Sequence, residues 1–179
     1  MAILIPGKLL YLANPRTGSH SVHQALKNVP SALKNLSHHA ELHQIPNYNG
    51  ELAFTTIRNP YDALVTWWMR MSIHGERPFA EFIADFEGND FIRHGRMFYQ
   101  CVPGVEVTRY ESLEEGVNEM LVRAGLDPVK LPLANRTLRK QPWRTYYGAE
   151  EIAAANNRFS QEILALGYEL IDADSPAPE

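Results

Sequence analysis

Apolar residues in this chain fall into two rhythms, one short and continuous, the other spaced at three and four. Lys8 to Ala13 (KLLYLA) is a short apolar run, and Asn14-Pro15 and Gly18 behind it mark a tight turn. From Ser19 onward, SHSVHQALKNV places Val22, Leu26 and Val29 at helical spacing. The pattern predicts strand, loop, helix. Leu52 to Ile57 (LAFTTI) is β-branched and aromatic and predicts a buried strand. Asn59 then suits an N-cap, Pro60 the first helical position and Asp62 the first turn, with Leu64, Trp68 and Met71 on one apolar face. Val105 to Tyr110 (VEVTRY) predicts a third strand, and Glu111 to Leu126 a third helix closed by Gly125. Phe79 to Phe86 and Ala149 to Leu166 predict two more helices.

Strands alternating with helices imply an α/β fold with a small, mostly parallel β-sheet flanked by α-helices. No repeat or linker breaks the pattern, so residues 1–171 read as one domain and 172–179 as a frayed tail. Ligands of such sheets bind beyond the carboxyl ends of the strands. Asn14 to Ser21 and Arg58 to Thr66 occupy two such ends, and the chemistry is expected there.

Composition narrows the classes. The 179 residues carry 17 Lys+Arg against 21 Asp+Glu, a net charge of −4, with 45% hydrophobic and 21% charged residues. That is the balance of a globular protein and excludes wholesale disorder. No apolar run reaches the ~18–20 residues of a membrane span. The start, MAILIPGKLLYL, is broken by Pro6, Gly7 and Lys8 and lacks a basic leader, so no signal peptide is expected and a soluble, cytoplasmic protein is. Cys101 is the single cysteine, which excludes an internal disulfide and a Cys-rich zinc site. A mildly acidic chain is also poorly suited to non-specific nucleic-acid binding. An anion must be held by a few placed residues.

The first loop, NPRTGSHS, supplies such residues. Gly18 allows a backbone form that exposes successive N–H groups, and the helix beginning near Ser19 points its positive end at the same spot. Thr17, Ser19 and Ser21 add hydroxyls, and Arg16 a forked, permanent cation. An ATP- or GTP-binding loop needs Gly, four residues, then Gly-Lys-Ser/Thr. Here Gly18 is followed by Ser-His-Ser, with no Lys and no second Gly, which speaks against a typical NTPase.

With the second loop, TTIRNPYDALVTWW, the chain resembles the sulfotransferases that use 3′-phosphoadenosine 5′-phosphosulfate (PAPS), particularly their carbohydrate-sulfotransferase branch. Pro15, Arg16, Thr17, Gly18 and Ser19 match the family's 5′-phosphosulfate loop. Arg58-Asn59-Pro60-Tyr61-Asp62-Ala63-Leu64-Val65-Thr66 matches its 3′-phosphate motif. VTRYESLEEGVNEMLVRAGL resembles its Arg-Tyr/Phe-Glu-x-Leu segment, and the stretch from LPLANRT to LGYEL its C-terminal segment. Three positions depart from the pattern. Arg16 stands where many members have Lys; it can stabilise charge on a leaving oxygen but cannot donate a proton to it. His20 replaces a hydroxyl residue, and Thr66 replaces Ser and keeps the hydroxyl.

The resemblance implies a single P-loop-like domain, PAPS as donor, 3′,5′-adenosine bisphosphate as product and no metal. It implies that Arg16 and the Gly18 and Ser19 amides stabilise the leaving group, with His20 and Ser21 completing the loop. Arg58 and Thr66 hold the 3′-phosphate, and Asn135, Thr137, Arg139 and Lys140 complete the donor site. Catalysis is then in-line positioning and charge stabilisation. The acceptor hydroxyl needs a base, and His39 before Ala40 best matches the family's His-Ala/Thr segment, with His38 and Glu41 beside it. A carbohydrate leads as acceptor; a small phenol, alcohol or lipid comes second. Two other readings stay open, a divergent phosphotransferase and a non-catalytic nucleotide-binding module.

Of the 17 basic residues, five (Arg16, Arg58, Arg136, Arg139, Lys140) fall in these segments, which reconciles a net charge of −4 with a polyanionic ligand. Trp67, Trp68, Tyr99, Phe159 and Tyr168 read as core and Cys101 as a small buried hydrophobe. Asn135-Arg136-Thr137 matches a glycosylation sequon that is expected to go unused.

Overall fold

The structure, a computed structural model, describes residues 2–33, 36–37, 40–71, 77–85, 96–134 and 141–172. In chain order its elements are β1 (Ile3–Ile5), β2 (Leu9–Leu12), α1 (Ser19–Leu26), β3 (Leu52–Ile57) and α2 (Pro60–Met71). Then come α3 (Phe79–Ala84), β4 (Val105–Arg109), α4 (Leu113–Arg123) and α5 (Ala149–Ala165). The chain divides into two compact units, Met1–Arg58 with Phe98–Arg136, and Asn59–Met97 with Thr137–Glu179. Each is assembled from two separate stretches of sequence.

The first unit holds a four-stranded sheet in the order β1-β2-β3-β4, with β2, β3 and β4 parallel and β1 antiparallel to β2. The fold is α/β with a mostly parallel sheet, and β2, β3 and β4 lie within the predicted strands. β1 is an addition that the pattern does not mark. Pro6 and Gly7 read in the sequence as a break in an apolar run; in the structure they turn a hairpin, with Gly7 at φ 69° and Ile5 opposite Leu9. The Glu51 carboxylate, just before β3, accepts the N–H groups of Gly7 at 2.9 Å and Asn49 at 2.7 Å and so ties that turn to the next strand.

Side chains alternate between the sheet's faces, as the pleat requires. Ile3, Ile5, Leu9, Tyr11 and Phe54 cluster with Val22 and Leu26 of α1 and Val117, Met120 and Leu121 of α4. Leu4, Leu10, Leu12, Ala53 and Val105 cluster with Ala40 and Ile45 of the α1–β3 connection. Burial on both faces explains why β2 and β3 read as continuous runs, whereas β4 exposes Val107 and Arg109. Each fully buried Leu, Ile or Phe contributes roughly 1.5–3 kcal/mol. α4 starts two residues later than predicted because Tyr110–Ser112 form one 3-10 turn first. It closes as predicted at Gly125, at φ 66°, with Leu126 N–H on the Leu121 carbonyl at 2.9 Å.

In the second unit, Asn59 Oδ1 accepts the N–H groups of Tyr61 at 3.0 Å and Asp62 at 3.4 Å, capping α2. Every residue of α2 from Pro60 to Trp67 is buried, so its first two turns are enclosed all round rather than on a single apolar face. Tyr61 stacks on Trp143 at 5.8 Å, and Phe79 meets Trp68 and Tyr147 at 5.0 Å each. Among the expected core aromatics, Trp67, Tyr99 and Phe159 are buried, whereas Trp68 and Tyr168 are half-buried. Cys101 is half-buried too, not enclosed. The Tyr61 hydroxyl bonds Asn156 and accepts the Ile171 N–H, which holds the chain after α5 against that unit. The predicted tail, beyond Asp172, lies outside the described residues. Among those described, no helix is long and apolar enough to cross a membrane.

Candidate functional site

Three consecutive strands of the first unit end side by side, and each end contributes to one constellation. β2 leads into Asn14–Ser19, β3 into Arg58 and β4 into Tyr110. This is the end of a parallel sheet at which ligands bind.

The loop after β2 is held from inside. The Asn14 side chain is fully buried; its Nδ2 donates to Thr55 Oγ1 at 2.9 Å and the Thr56 carbonyl at 3.2 Å, and its Oδ1 accepts the Gln100 N–H at 3.1 Å. Thr17, also fully buried, donates its hydroxyl to the Asn14 carbonyl at 2.9 Å and lies 2.7 Å from Thr56 Oγ1. A threonine has one hydroxyl proton, so Thr56 donates to Thr17, and Tyr11, 3.1 Å away, donates to Thr56. Burial holds the Tyr11 phenol far above its ordinary pKa, with the Thr56 bond opposing this, so it stays a donor. The hydroxyl chain runs Tyr11, Thr56, Thr17, Asn14.

Above this anchor the backbone twists. Arg16 has φ 61° and Gly18 has φ 77°, both left-handed. Only Gly18 is suited to that form, and a Cβ there would also lie 2.6 Å from Leu113 Cδ2 and 3.0 Å from the Tyr110 ring. No hydrogen bond joins the N–H of Gly18 or Ser19 to an acceptor among the described residues. Both sit at the start of α1, where the helix dipole favours an anion.

Arg58 is 7% exposed, yet its guanidinium is placed at this loop. Nη1 lies 3.4 Å from the Arg16 carbonyl oxygen, and Cζ lies 4.1 Å from the centroid of the Tyr110 ring. Tyr110 thus packs against both Gly18 and Arg58. The result is a permanent cation beside two N–H groups without acceptors among the described residues, a form suited to phosphate or sulfate oxygens.

The other sequence-predicted residues divide as follows. Pro15 is buried at the loop's start, and Ser19 is half-buried at the first position of α1. Thr17 faces inward, its hydroxyl engaged by the protein. Ser21 is buried on α1, and its Oγ accepts the Ala134 N–H at 3.2 Å. His20 is exposed on the same helix. Glu41 is half-buried at the head of a 3-10 turn, Leu42–Gln44; its N–H bonds Gln44 Oε1 at 3.0 Å, and its carboxylate is 3.9 Å from His43 Nδ1. Thr66 belongs to α2 in the second unit, 2% exposed, and its Oγ1 has no hydrogen-bond partner among the described residues. His38, His39, Asn135, Thr137, Arg139 and Lys140 lie outside the described residues.

Sequence reasoning takes Asn14 only as a turn residue and Tyr110 only as part of a motif, and passes over Thr55, Thr56 and Gln100. Two threonines inside an otherwise apolar strand, separated from Arg58 by Ile57 alone, are the one local signal of a polar anchor. Gln100 carries none, because its partners are 86 and 60 residues away. Scanned against models of protein families, the sequence matches none, and a search of curated proteins returns no match.

Proposed function

We propose that this protein is a sulfotransferase that moves the sulfuryl group of PAPS to an acceptor hydroxyl or amine, on a P-loop-like frame. A carbohydrate is the leading acceptor class, ahead of a small phenol, alcohol or lipid. The observation that carries the reading is the meeting of Arg58 with the loop, 3.4 Å from the Arg16 carbonyl and beside the Gly18 and Ser19 N–H groups, which have no acceptor among the described residues. Such a cluster fits the phosphate and sulfate oxygens of a doubly anionic nucleotide. By the resemblance Thr66, whose buried hydroxyl has no partner among the described residues, is assigned the second phosphate contact.

In this reading the donor brings an activated sulfuryl group on a phosphate leaving group. Arg16 and the Gly18 and Ser19 amides neutralise charge on the leaving phosphate oxygens, and Arg58 holds the 3′-phosphate. Thr17 acts through the loop's shape, its hydroxyl being engaged internally. Asn135, Thr137, Arg139 and Lys140 complete the donor site, and His39, aided by His38 and Glu41, takes the acceptor's proton. No metal takes part.

Thermal unfolding with 3′,5′-adenosine bisphosphate, compared with ATP plus magnesium, tests the donor assignment. At a hundredfold excess over Kd a native-state ligand stabilises by about 2.7 kcal/mol. The bisphosphate is expected to raise the midpoint, and Arg58→Ala to abolish most of the rise. A shift with ATP-magnesium alone would replace this reading by the phosphotransferase. Transfer of labelled sulfate to a panel of glycans and phenols then tests catalysis, and silence with the bisphosphate bound would leave a binding module.

A further inference from the structure

The anchor beneath the loop has more organisation than a core polar group requires. Asn14 is fully buried, and four hydrogen bonds with nitrogen and oxygen partners converge on it, beside a longer contact of its amide with Cys101 Sγ at 4.0 Å. Its amide donates to Thr55 Oγ1 and the Thr56 carbonyl, its Oδ1 accepts the Gln100 N–H, and its own carbonyl accepts the Thr17 hydroxyl. These are side-chain bonds lying outside the helix and strand ladders. Thr55 passes the chain on to the Leu12 carbonyl at 2.6 Å, and Gln100 Nε2 to the Ala40 carbonyl at 2.8 Å. One side chain therefore joins the loop to β3, to the segment before β4 and, through Gln100, to the segment that carries Glu41.

The residue type follows from the geometry. Two donors and one acceptor are used in a site closed to water, a set that only a primary amide provides. Aspartate would lack the donors and bury a charge, and an apolar residue would leave the Gln100 N–H and the Thr56 carbonyl short of a partner. Two residues onward, Arg16 sits at φ 61°, a form that non-glycine residues hold only where the surroundings impose it. The surroundings here are two clamps. Gly18 is pressed against Leu113 and Tyr110 on one side, and Asn14 and Thr17 are tied to β3 on the other.

We infer that Asn14 is the positioning residue of the anion loop: it holds Arg16 left-handed and keeps the Gly18 and Ser19 N–H groups turned outward before any ligand arrives. Its functional consequence rests on the proposed reading of the loop, whereas its effect on loop shape does not. Preformed donors spare the ligand the ordering of the loop, so the side chain acts on affinity without touching the ligand.

The test uses the full chain with Asn14→Ala and Thr55→Val, the second removing one amide partner at nearly constant shape. In the folded, ligand-free variants, amide resonances of Arg16 to Ser19 are expected to shift, and the N–H to Hα coupling of Arg16 to leave its left-handed value, while amides of β1 stay in place. Affinity for 3′,5′-adenosine bisphosphate is expected to fall by about tenfold or more in Asn14→Ala, and less in Thr55→Val. Should Asn14→Ala not fold, Thr55→Val decides by the same two readouts. A lowered melting temperature with unmoved loop resonances and unchanged affinity would overturn the inference. Failure of the wild-type protein to bind the bisphosphate would strike the proposed function instead, and the loop resonances would still decide this one.

Discussion

The guanidinium of Arg58 lies face-on to the Tyr110 ring, 4.1 Å from its centroid. The two residues come from the ends of neighbouring parallel strands, 52 positions apart in the chain. A desolvated cation over an aromatic face contributes roughly 0.5–2 kcal/mol and also fixes which way the guanidinium points. Tyr110→Leu is therefore expected to lower stability to urea by about 1 kcal/mol and to weaken binding of 3′,5′-adenosine bisphosphate. Tyr110→Phe, which keeps the ring, should do neither. Equal losses in the two variants would show that the hydroxyl, not the ring face, supports Arg58.

The two left-handed residues of the loop should respond with opposite signs. Gly18→Ala meets both a disfavoured φ and a contact of 2.6 Å with Leu113, and is expected to cost about 2 kcal/mol or more. Arg16→Gly relieves a strained φ, so stability should hold or rise by up to about 1 kcal/mol. On the proposed reading, sulfuryl transfer should nevertheless fall in Arg16→Gly, with the loss of its side chain. Equilibrium urea unfolding of both variants, with labelled-sulfate transfer for the second, checks the pair.

Thr66→Val separates binding from stability. Its hydroxyl is buried and has no partner among the described residues, so an isosteric methyl should leave the free protein as stable or slightly more so. Bisphosphate affinity should fall by about tenfold, the worth of one hydrogen bond to a charged group. Calorimetric titration of the variant reads this directly. Unchanged affinity would remove Thr66 from the donor site.

Glu51 provides a pH dependence. Burial pushes its carboxyl pKa up, but the N–H groups of Gly7, Asn49 and Glu51 itself outweigh this and hold it below its ordinary 4.5. In acid the unfolded chain binds the proton first. The stabilisation is therefore fully present above about pH 4.5 and lost as pH falls through the lower folded value. Glu51→Gln should cost about 1 kcal/mol at pH 7 and flatten the acid limb of the stability curve. Urea midpoints from pH 3 to pH 7 would show a parallel, unflattened curve if the hairpin turn did not depend on the charge.

Much of the frame is visible in the chain before folding. LAFTTI marks β3 to the residue, because a strand enclosed on both faces reads as an unbroken run of apolar and β-branched residues. Asn59-Pro60 marks the start of α2, because a cap acts within three residues of itself. Gly125 marks the end of α4 for the same local reason. The loop at Pro15–Ser19 and the cation at Arg58 stand out by residue type, and their resemblance to one family's motifs joins them into a single expectation.

Sequence by itself determined three of the sheet's four strands and the helices, and marked residue types at Pro15–Ser19 and Arg58 suited to an anion. Only the tertiary structure decided that Pro6-Gly7 turns a hairpin, and that α2 is enclosed on all sides. It also turned the Thr17 hydroxyl inward to Thr56, 39 residues away, and set Arg58 against Tyr110. The physical reason is range. Periodicity and capping are written in neighbours along the chain, whereas a buried hydroxyl or amide takes its role from the group that satisfies it, and here those groups arrive from other strands.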